Sequence, residues 1–182
     1  MDLAPGVLLV AEPALLDPNF RRTVVLLCDH NDEGSFGLIL NRRTDLHLAE
    51  VLAEPISLDA PLYFGGPVQT DTLHYLHPYA DEVDEAVAVL DGVGWGGPFE
   101  EIVEQVQQGQ FDAEGFRFFV GYAGWGADQL AEEIDEGGWI VLPGSAAAVF
   151  DEEPSALWRG VMRGLGGEYA LLSNYPDDPR MN

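Results

Sequence analysis

The sequence from residue 17 to residue 43 reads Asp17-Pro18-Asn19-Phe20-Arg21-Arg22, Thr23-Val24-Val25-Leu26-Leu27-Cys28, Asp29-His30-Asn31-Asp32-Glu33-Gly34-Ser35 and Phe36-Gly37-Leu38-Ile39-Leu40-Asn41-Arg42-Arg43. Two short apolar runs joined by a polar loop that contains glycine predict a β-hairpin. With the loop centred near Asp32, Leu26 pairs with Leu38 and Thr23 lies near Asn41. The open end of this hairpin then gathers four basic residues, Arg21, Arg22, Arg42 and Arg43.

The length and composition of the chain indicate its domain number and its environment. The 182 residues include 32 acidic and eight basic residues, and the formal net charge is -24. Their length and apolar content predict one domain over residues 1–182, with a flexible Pro-rich tail over residues 174–182. An acidic surface of this kind suits a salt-rich cytoplasm, because about 1 M salt shortens the Debye length to roughly 3 Å. We therefore expect a halophilic protein.

Cys28 is the only cysteine, so the chain has no partner for an internal disulfide. Its place within an apolar strand favours an inert, buried thiol over a nucleophile. No basic segment precedes an apolar core at the N-terminus, and no run approaches the ~18 apolar residues of a membrane span. We expect a cytoplasmic protein that does not enter the membrane.

Further strands are predicted over residues 7–11, 62–64, 73–77, 86–90, 116–120 and 139–142. Helices are predicted over residues 98–108, 127–136 and 155–162, and a shorter helix begins at Thr44 or Asp45 and reaches Leu52. Strands and helices are interspersed, but an early hairpin replaces regular βαβ repeats. The pattern favours an α+β fold with a mixed sheet over a doubly wound fold.

Several blocks of sequence follow one another along the chain: Asp17-Pro18-Asn19-Phe20, Arg22-Thr23-Val24, Cys28-Asp29-His30-Asn31, Gly37-Leu38 with Asn41-Arg42, Gly65-Gly66-Pro67-Val68, Gly121-Tyr122-Ala123-Gly124-Trp125, and Gln129-Leu130 with Glu133 and Trp139. Together these blocks resemble the YqgE/AlgH family. This resemblance spans nearly the whole chain and implies a bacterial, single-domain α+β protein with a bulged, mostly antiparallel sheet and flanking helices. It also implies a family name tied to transcriptional regulation, without an established biochemical activity. Asp128 departs from the family pattern, in which glycine is usual.

The arginine cluster is the first candidate site. Arginine forks bind carboxylate or phosphate in a bidentate manner, and glycine lets backbone N–H groups approach such an anion closely. The alternative, which the many acids favour, is internal pairing with residues such as Asp17 or Glu133. The candidate binding residues are Asp17, Asn19, Arg22, His30, Asn41, Arg42, Gly65, Gly66, Gly121, Tyr122, Gly124, Trp125, Gln129 and Glu133.

Residues 92–97 match G-x-G-x-x-G, but the strand after the next helix lacks the acid of a dinucleotide fold. We interpret this segment as a flexible helix entry and expect no cofactor. His74 and His77 are three apart and point to opposite faces of a strand, so we expect no metal site. His30 beside Asp29 is a possible base, but a polar turn contact is favoured because no nucleophile motif is present.

Tyr122 and Trp125 lie among glycines, in a predicted loop over residues 121–126. They are either the wall of a ligand or partner pocket or packing anchors where strand meets helix, and packing is favoured. Direct DNA binding is disfavoured, since it needs several Lys or Arg to neutralise phosphates and the net charge is -24.

Two functions of different classes remain open. The first is a noncatalytic binding or regulatory protein that acts indirectly, through a protein partner or a small anionic ligand at the arginine-rich hairpin end and the predicted loop. The second is an enzyme, such as a hydrolase, that acts on a small anionic substrate with the same surface.

Overall fold

A computed structural model describes residues 2–176 of the chain, so residues 177–182 of the predicted tail lie outside the described part. The strands are β1 (Val7–Ala11), β2 (Val24–Asn31), β3 (Gly34–Ile39), β4 (Arg43–His47), β5 (Pro61–Phe64), β6 (Val68–His77), β7 (Val87–Leu90), β8 (Val93–Trp95), β9 (Arg117–Gly126) and β10 (Trp139–Pro143). The helices are α1 (Leu48–Val51), α2 (Phe99–Gln107), α3 (Gln129–Asp135), α4 (Ala146–Phe150), α5 (Pro154–Leu165) and α6 (Gly167–Leu172).

The predicted hairpin is confirmed as β2 and β3. Leu26 lies opposite Leu38, and a β-bulge shifts the register between Leu27 and Asp29. At the open end, the side chain of Asn41 extends the ladder beyond both strands. Its Oδ1 accepts the backbone N–H of Val24 at 2.9 Å, and its Nδ2 donates to the carbonyl of Arg22 at 2.9 Å. Asn41 therefore holds the Arg22 backbone against the end of β3.

The strands pair in the order β10-β1-β2-β3-β9-β6-β8-β7. Outside this order, β4 pairs with β5, and β5 pairs with β9. All pairs are antiparallel except β5 with β9, and four of them carry register shifts. The predicted α+β class with a bulged, mostly antiparallel sheet is confirmed. β9 is the central strand, because it alone pairs with β3, β5 and β6.

Both faces of the hairpin are covered. On one face, Leu26 and Leu38 pack with Trp158 and Met162 of α5. On the other face, Val25 and Leu27 pack in a cluster that includes Leu130 of α3. Since neither face meets water, β2 begins as a continuous apolar run rather than an alternating one. A third cluster lies beneath α2 and includes Ile102 and Phe118.

Cys28 is buried within β2, and burial raises the pKa of its thiol far above the usual range. The thiol is therefore protonated and shielded from solvent. Among the described residues, no helix has both the length and the apolar character needed to cross a membrane.

Three predicted elements are wrong. Residues 121–126 are not a loop, because β9 continues through them and pairs with β3. Residues 43–47 form β4 against β5, so the helix begins only at Leu48. The G-x-G-x-x-G segment contains β8, which pairs with β6 and β7 and is not a helix entry. In all three segments, pairing with another strand decides the structure, and the local residue pattern did not reveal that pairing.

Three of the candidate binding glycines occupy a close crossing of β5, β6 and β9. A Cβ on Gly65 would clash with the carbonyl of Gly121, and a Cβ on Gly121 would clash with the carbonyl of Gly66. A Cβ on Gly66 would in turn meet the backbone of Tyr122, and Gly121 has a φ of 68°. These contacts give the three glycines a structural role, in which the absence of side chains lets the strands approach closely.

Candidate functional site

A cavity of about 330 Å³ lies where the open end of the β2–β3 hairpin meets α5. We call it the arginine cavity. The segments before β2 and after β3 supply its first wall, and the first two turns of α5 supply the second. Its lining residues are Arg21, Arg22, Asn41, Arg42, Ser155, Trp158 and Arg159.

The turn before β2 directs Arg21 and Arg22 into this region. The carbonyl of Asp17 accepts the backbone N–H groups of Phe20 and Arg21, at 3.0 and 2.7 Å. The Asp17 carboxylate accepts the N–H of Asn19 at 2.8 Å, as expected of an aspartate that shapes a turn. Asp17 and Asn19, both candidate binding residues, thus lie beside the arginine cavity and do not line it.

Arg42 spans the two sides of the open hairpin end. Its Nη2 donates to the carbonyl of Arg21 at 2.7 Å, and both terminal nitrogens contact the carbonyl of Pro18 at 3.4 Å. Burial, and secondarily the charge of Arg21, lower the pKa of Arg42. Within residues 2–176, its guanidinium donates to carbonyl oxygens and to no carboxylate. No carboxylate within residues 2–176 therefore neutralises the charge of Arg42, although the positive charge of Arg21 lies close to it.

Arg22 connects the hairpin to α5 and to the end of the described chain. It has a φ of 56°, a left-handed conformation that few residues other than glycine adopt. Its guanidinium carbon lies 4.9 Å from the ring centre of Trp158, within cation–π range. Its Nη2 donates to the carbonyls of Tyr175 and Pro176, at 2.8 and 3.1 Å. The Asn41 side chain, bound to the Arg22 carbonyl, supports this backbone conformation.

Helix α5 contributes the second wall. Trp158 is buried, and its Nε1 donates to the carbonyl of Ala11 at 2.9 Å, which fixes the indole beside β1. Arg159, the next residue, lines the arginine cavity, whereas Arg43 lies exposed on β4 opposite Tyr63 and does not. The sequence prediction therefore included Arg43 wrongly among the clustered arginines and missed Arg159. The only sequence signal for Arg159 is its membership of a set of eight basic residues.

The chemistry of the arginine cavity follows from its charge. Four of the eight basic residues of the chain meet around one opening, together with the amide of Asn41 and the hydroxyl of Ser155. Like charges repel, so an anion within the opening lowers the energy of the cluster. Guanidinium groups also match the planar or tetrahedral oxygens of carboxylate and phosphate. This arrangement is suited to holding a small anion.

A separate group of candidate residues forms a hydrogen-bond network on α3. The Glu133 carboxylate accepts the indole N–H of Trp125 at 2.9 Å and that of Trp139 at 2.8 Å. The side chain of Gln129 donates to the other oxygen of the Glu133 carboxylate at 3.0 Å and accepts the backbone N–H of Gly126 at 3.0 Å. The carboxylate of Glu133 is thus committed to tryptophan and glutamine side chains, away from the arginine cavity.

Tyr122 and Trp125 lie on opposite faces of β9. Trp125 belongs to the cluster beneath α3, while Tyr122 packs against the cluster that contains Trp158. Tyr122 stacks on Phe36 with ring centres 4.5 Å apart, and its ring covers Gly124, where a Cβ would lie 3.1 Å from it. The two aromatic residues therefore do not form one wall, and each has packing partners of its own.

His30 lies at the other end of the hairpin from the arginines. It is six residues beyond Val24 along β2, or about 20 Å at the usual strand rise. Its Nδ1 is 2.8 Å from the hydroxyl oxygen of Ser35, and both residues line a cavity of about 150 Å³ that also includes Asp128. Ser35 was not among the predicted residues. The structure does not bring His30 and Arg22 to one surface, because they lie at opposite ends of a strand.

The remaining histidines also lie apart. His77 is buried on β6 and bonds the carbonyl of Gly96 at 2.8 Å, and burial lowers the pKa of both His74 and His77. Over the described part of the chain, no three His, Cys, Asp or Glu side chains are grouped closely enough to hold a metal ion.

The curled α+β sheet with its covering helices places the chain among a class of bacterial proteins with known structures. One neighbour is a crystal structure of a protein from Corynebacterium diphtheriae, with a TM-score of 0.78, 29% identity, and coverage of 96% of this chain and 94% of the other. A second is the solution structure of AlgH from Pseudomonas aeruginosa, with a TM-score of 0.75, 31% identity, and coverage of 98% and 100%.

Sequence relatives agree with these neighbours. A UPF0301 protein from Chlorobaculum tepidum is 46% identical over 180 residues, which are 99% of this chain and 96% of the other. A UPF0301 protein from Cytophaga hutchinsonii is 41% identical over 181 residues, or 99% and 100% of the two chains. Residues 8–170 match the family described as AlgH-like, DUF179. The chain belongs to this AlgH-like family, and the resemblance seen in its sequence is confirmed.

Proposed function

We propose that this protein is a noncatalytic anion-binding protein whose arginine cavity holds a small carboxylate or phosphate ligand. The observation that carries this proposal is the meeting of Arg21, Arg22, Arg42 and Arg159 around one opening in a chain of net charge -24. Arginines distributed only for surface charge would not gather in this way, because they would repel one another. Any influence on transcription then operates indirectly, through the liganded protein and its partners.

Duplex DNA is a poor alternative ligand for the same cavity. Nonspecific DNA affinity depends on several cations that neutralise phosphates along the duplex, and the net charge of -24 repels that polyanion. A small anion avoids most of this repulsion, since it fits within about 330 Å³. The geometry therefore supports a metabolite-sized ligand.

Thermal unfolding in buffered KCl tests the proposal, with phosphate, pyrophosphate and citrate as probes. An anion at about 100 times its dissociation constant stabilises the protein by roughly 2.7 kcal/mol, which raises the unfolding midpoint by about 5 to 10 °C at this chain length. Arg42→Gln and Arg159→Gln each abolish the rise. Arg43→Gln is the matched control, because it removes the same charge from an exposed position outside the arginine cavity, and it leaves the rise intact.

Equal loss in all three variants would show a general charge effect and contradict a site. An unchanged midpoint with every probe, together with earlier unfolding of Arg42→Gln, would make the cluster a structural feature. Either result overturns the anion-binding function.

A hydrolase is the second candidate, and one contact favours it. Ser35 and His30 are hydrogen-bonded at 2.8 Å in a small open cavity, the arrangement of a nucleophile and its base. The pair ranks second because, within residues 2–176, no carboxylate is hydrogen-bonded to the His30 ring to orient it. Hydrolysis of p-nitrophenyl esters that is lost in Ser35→Ala, with an unchanged unfolding midpoint, would support this candidate. Absence of turnover in the unmodified protein would rule it out for that substrate class.

A further inference from the structure

Three strands of the sheet, β4, β7 and β10, pair with a single neighbour within residues 2–176. Charges lie on or beside the first two, since β4 contains Arg43 and Asp45, and Asp91 directly follows β7. β10 contains no charged residue, and the uncharged sequence around it extends from Gly137 to Phe150 in a chain of which 22% is charged. Charges on an unpaired strand hinder its pairing with another molecule. The edge of β10 lacks this protection.

Hydrogen bonds at both ends of β10 show which of its backbone groups bond to β1. The N–H of Glu12 donates to the carbonyl of Gly138, and the N–H of Gly144 donates to the carbonyl of Gly6, both at 3.0 Å. In an antiparallel pair, hydrogen-bonded and non-hydrogen-bonded positions alternate along each strand. The even-numbered residues of β10 therefore bond to β1, and the odd-numbered residues direct their N–H and C=O groups away from it.

The odd-numbered residues of β10 form an open edge. They are Trp139, Val141 and Pro143, and within the described chain their outward backbone groups have no hydrogen-bond partner. Pro143 offers only its carbonyl, because proline has no N–H. The side chains of residues 140–142 are half-buried, whereas those of β1 beside them are buried. This edge can therefore accept a further strand.

Apolar cavities adjoin this edge on both faces of the sheet. On the α5 face, a cavity of about 360 Å³ is lined by Leu8, Leu142 and Val161 among others. On the α3 face, a cavity of about 260 Å³ includes Leu15 and Trp139. A strand added to β10 would thus find apolar side chains beside it as well as free backbone groups.

We propose that β10 pairs with the β10 strand of a second copy of this chain, antiparallel and about a two-fold axis through Val141. The two Val141 residues then exchange backbone hydrogen bonds across the axis. On either side of them, the N–H of Trp139 meets the carbonyl of Pro143 of the other copy. The missing N–H of proline leaves the Trp139 carbonyl without a donor, but this mismatch is confined to the ends of the ladder.

The side chains fit the same register. Ile140 lies opposite Leu142 of the second copy on the α5 face, where both residues already pack against the hydrophobic cluster. Val141 lies opposite its own copy on the α3 face. All cross-strand pairs of this register are therefore apolar, and such pairs stabilise antiparallel strands.

Charge favours a second copy over a different protein as the occupant. Two molecules of net charge -24 repel each other, so they can associate only where their contact surface is free of charge. The uncharged residues 137–150 provide such a surface. A different protein selected by attraction to acidic groups would instead dock where carboxylates are exposed. The inference does not involve the arginine cavity, which other residues line.

Sedimentation equilibrium of the full-length chain, at about 1 to 200 μM in about 2 M KCl, tests the proposal. High salt is used because Glu136 and Glu152 line the two cavities, and their repulsion across the axis is then screened. We expect a monomer–dimer equilibrium. Val141→Lys weakens the dimer by about 10-fold or more in its dissociation constant, because two ammonium groups meet at the axis. Val87→Lys is the matched control, since Val87 is exposed on the edge strand β7, and it changes the constant by less than about twofold.

A cross-link provides a second measurement that does not require a charge at the edge. Cα atoms of a hydrogen-bonded antiparallel pair are about 5.5 Å apart, which is within the range of a disulfide. Val141→Cys therefore forms a covalent dimer on mild oxidation, and Val87→Cys does not. The native thiol of Cys28 does not interfere, because it is buried and protonated.

The results decide between this interface and its alternatives. A monomer at every concentration, with no cross-link through Val141→Cys, would overturn the proposal even if Val141→Lys failed to fold. A dimer that both lysine variants weaken equally, or that is cross-linked equally by both cysteine variants, would place the contact elsewhere and would also overturn it. Anion binding by the arginine cavity is measured separately, so neither result bears on the proposed function.

Discussion

Single side chains account for much of the order around α3. Trp125 and Trp139 are almost fully buried, and both indole N–H groups donate to the same carboxylate oxygen of Glu133. A buried donor without an acceptor costs far more than a satisfied hydrogen bond contributes, so these two indoles depend on one residue. Glu133 is therefore a stability residue, although its place in the sequence blocks suggested a binding role.

Replacing Glu133 tests this role. Glu133→Ala leaves both indoles without their acceptor, and we predict a loss of about 2–4 kcal/mol in the free energy of unfolding. Glu133→Gln keeps an acceptor oxygen and loses less. Urea unfolding monitored by tryptophan fluorescence measures both values, and exposed Glu132→Ala on the same helix serves as the control. Equal, small effects for Glu133→Ala and Glu132→Ala would contradict the prediction.

His77 gives the stability a pH dependence. Its Nδ1 accepts the backbone N–H of Tyr79 at 3.2 Å, which leaves the proton on Nε2 to bond the carbonyl of Gly96 at 2.8 Å. Burial favours this neutral form and lowers the pKa of His77, although the Gly96 carbonyl and the charge of Glu82 act in the opposite direction. The unfolded histidine titrates near pH 6.5, so it binds a proton before the folded one does.

We therefore predict that stability falls as the pH drops below about 6.5, because the unfolded state then holds more protons than the native state. His77→Phe removes this contribution, which is at most about 1.36 kcal/mol per pH unit. The measurement is the slope of the free energy of unfolding between pH 7 and pH 5 for the two proteins. The slopes would be the same if His77 took up its proton equally in both states.

Two features of single residues could not be predicted from the sequence: the backbone conformation of Asp128 and the position of Arg159. Asp128 has a φ of 61°, a left-handed conformation that glycine adopts without strain and most other residues do not. That conformation was not readable from a single sequence. Arg159 was missed for another reason, since it is more than a hundred residues away from Arg42 and only the packing of α5 on the hairpin brings them together.

Among the secondary-structure elements, the crossing of β5, β6 and β9 has the strictest requirement for glycine. Gly121 combines a positive φ with backbone so close that a Cβ would clash with the carbonyl of Gly66. We predict that Gly121→Ala destabilises the protein by about 3 kcal/mol or more, through strain and separation of the strands. Thermal and urea unfolding measure the loss.

Gly164→Ala is the control for that substitution. Gly164 lies within α5, and a Cβ there has no neighbour within 4 Å. Alanine is the better helix former by roughly 1 kcal/mol, so this substitution should stabilise the protein. Comparable destabilisation by both substitutions would show that the strand crossing has no special requirement for glycine.

Elements with local signals were predictable, and elements that depend on distant partners were not. The residue pattern of the hairpin correctly predicted the pairing of Leu26 with Leu38, and the amphipathic pattern of residues 98–108 correctly predicted α2. Residues 121–126 looked like a loop because glycine is rare in strands, but β3 supplies their ladder partners. Thr44 looked like a helix cap, although pairing of β4 with β5 places it in a strand.

For the whole molecule, we expect the net charge of -24 to determine how the stability responds to salt. Repulsion among exposed carboxylates opposes the compact state, and salt screens it. We predict that the unfolding midpoint rises between about 0.1 and 2 M KCl. Substituting the exposed acids of α2, Glu100, Glu101 and Glu104, with glutamine should reduce this rise. A midpoint that does not depend on salt in either protein would contradict self-repulsion as the main effect.

The position of β9 has a consequence for biosynthesis. This strand pairs with β3 and β5 along one edge and with β6 along the other, yet it is made from residues 117–126. A nascent chain that ends before residue 126 lacks the strand that both groups share. Neither group can complete its ladder until two-thirds of the polypeptide has left the ribosome, and such nonlocal pairing folds slowly. The exposed edges of β3 and β6 are therefore the surfaces that a chaperone would need to protect during translation.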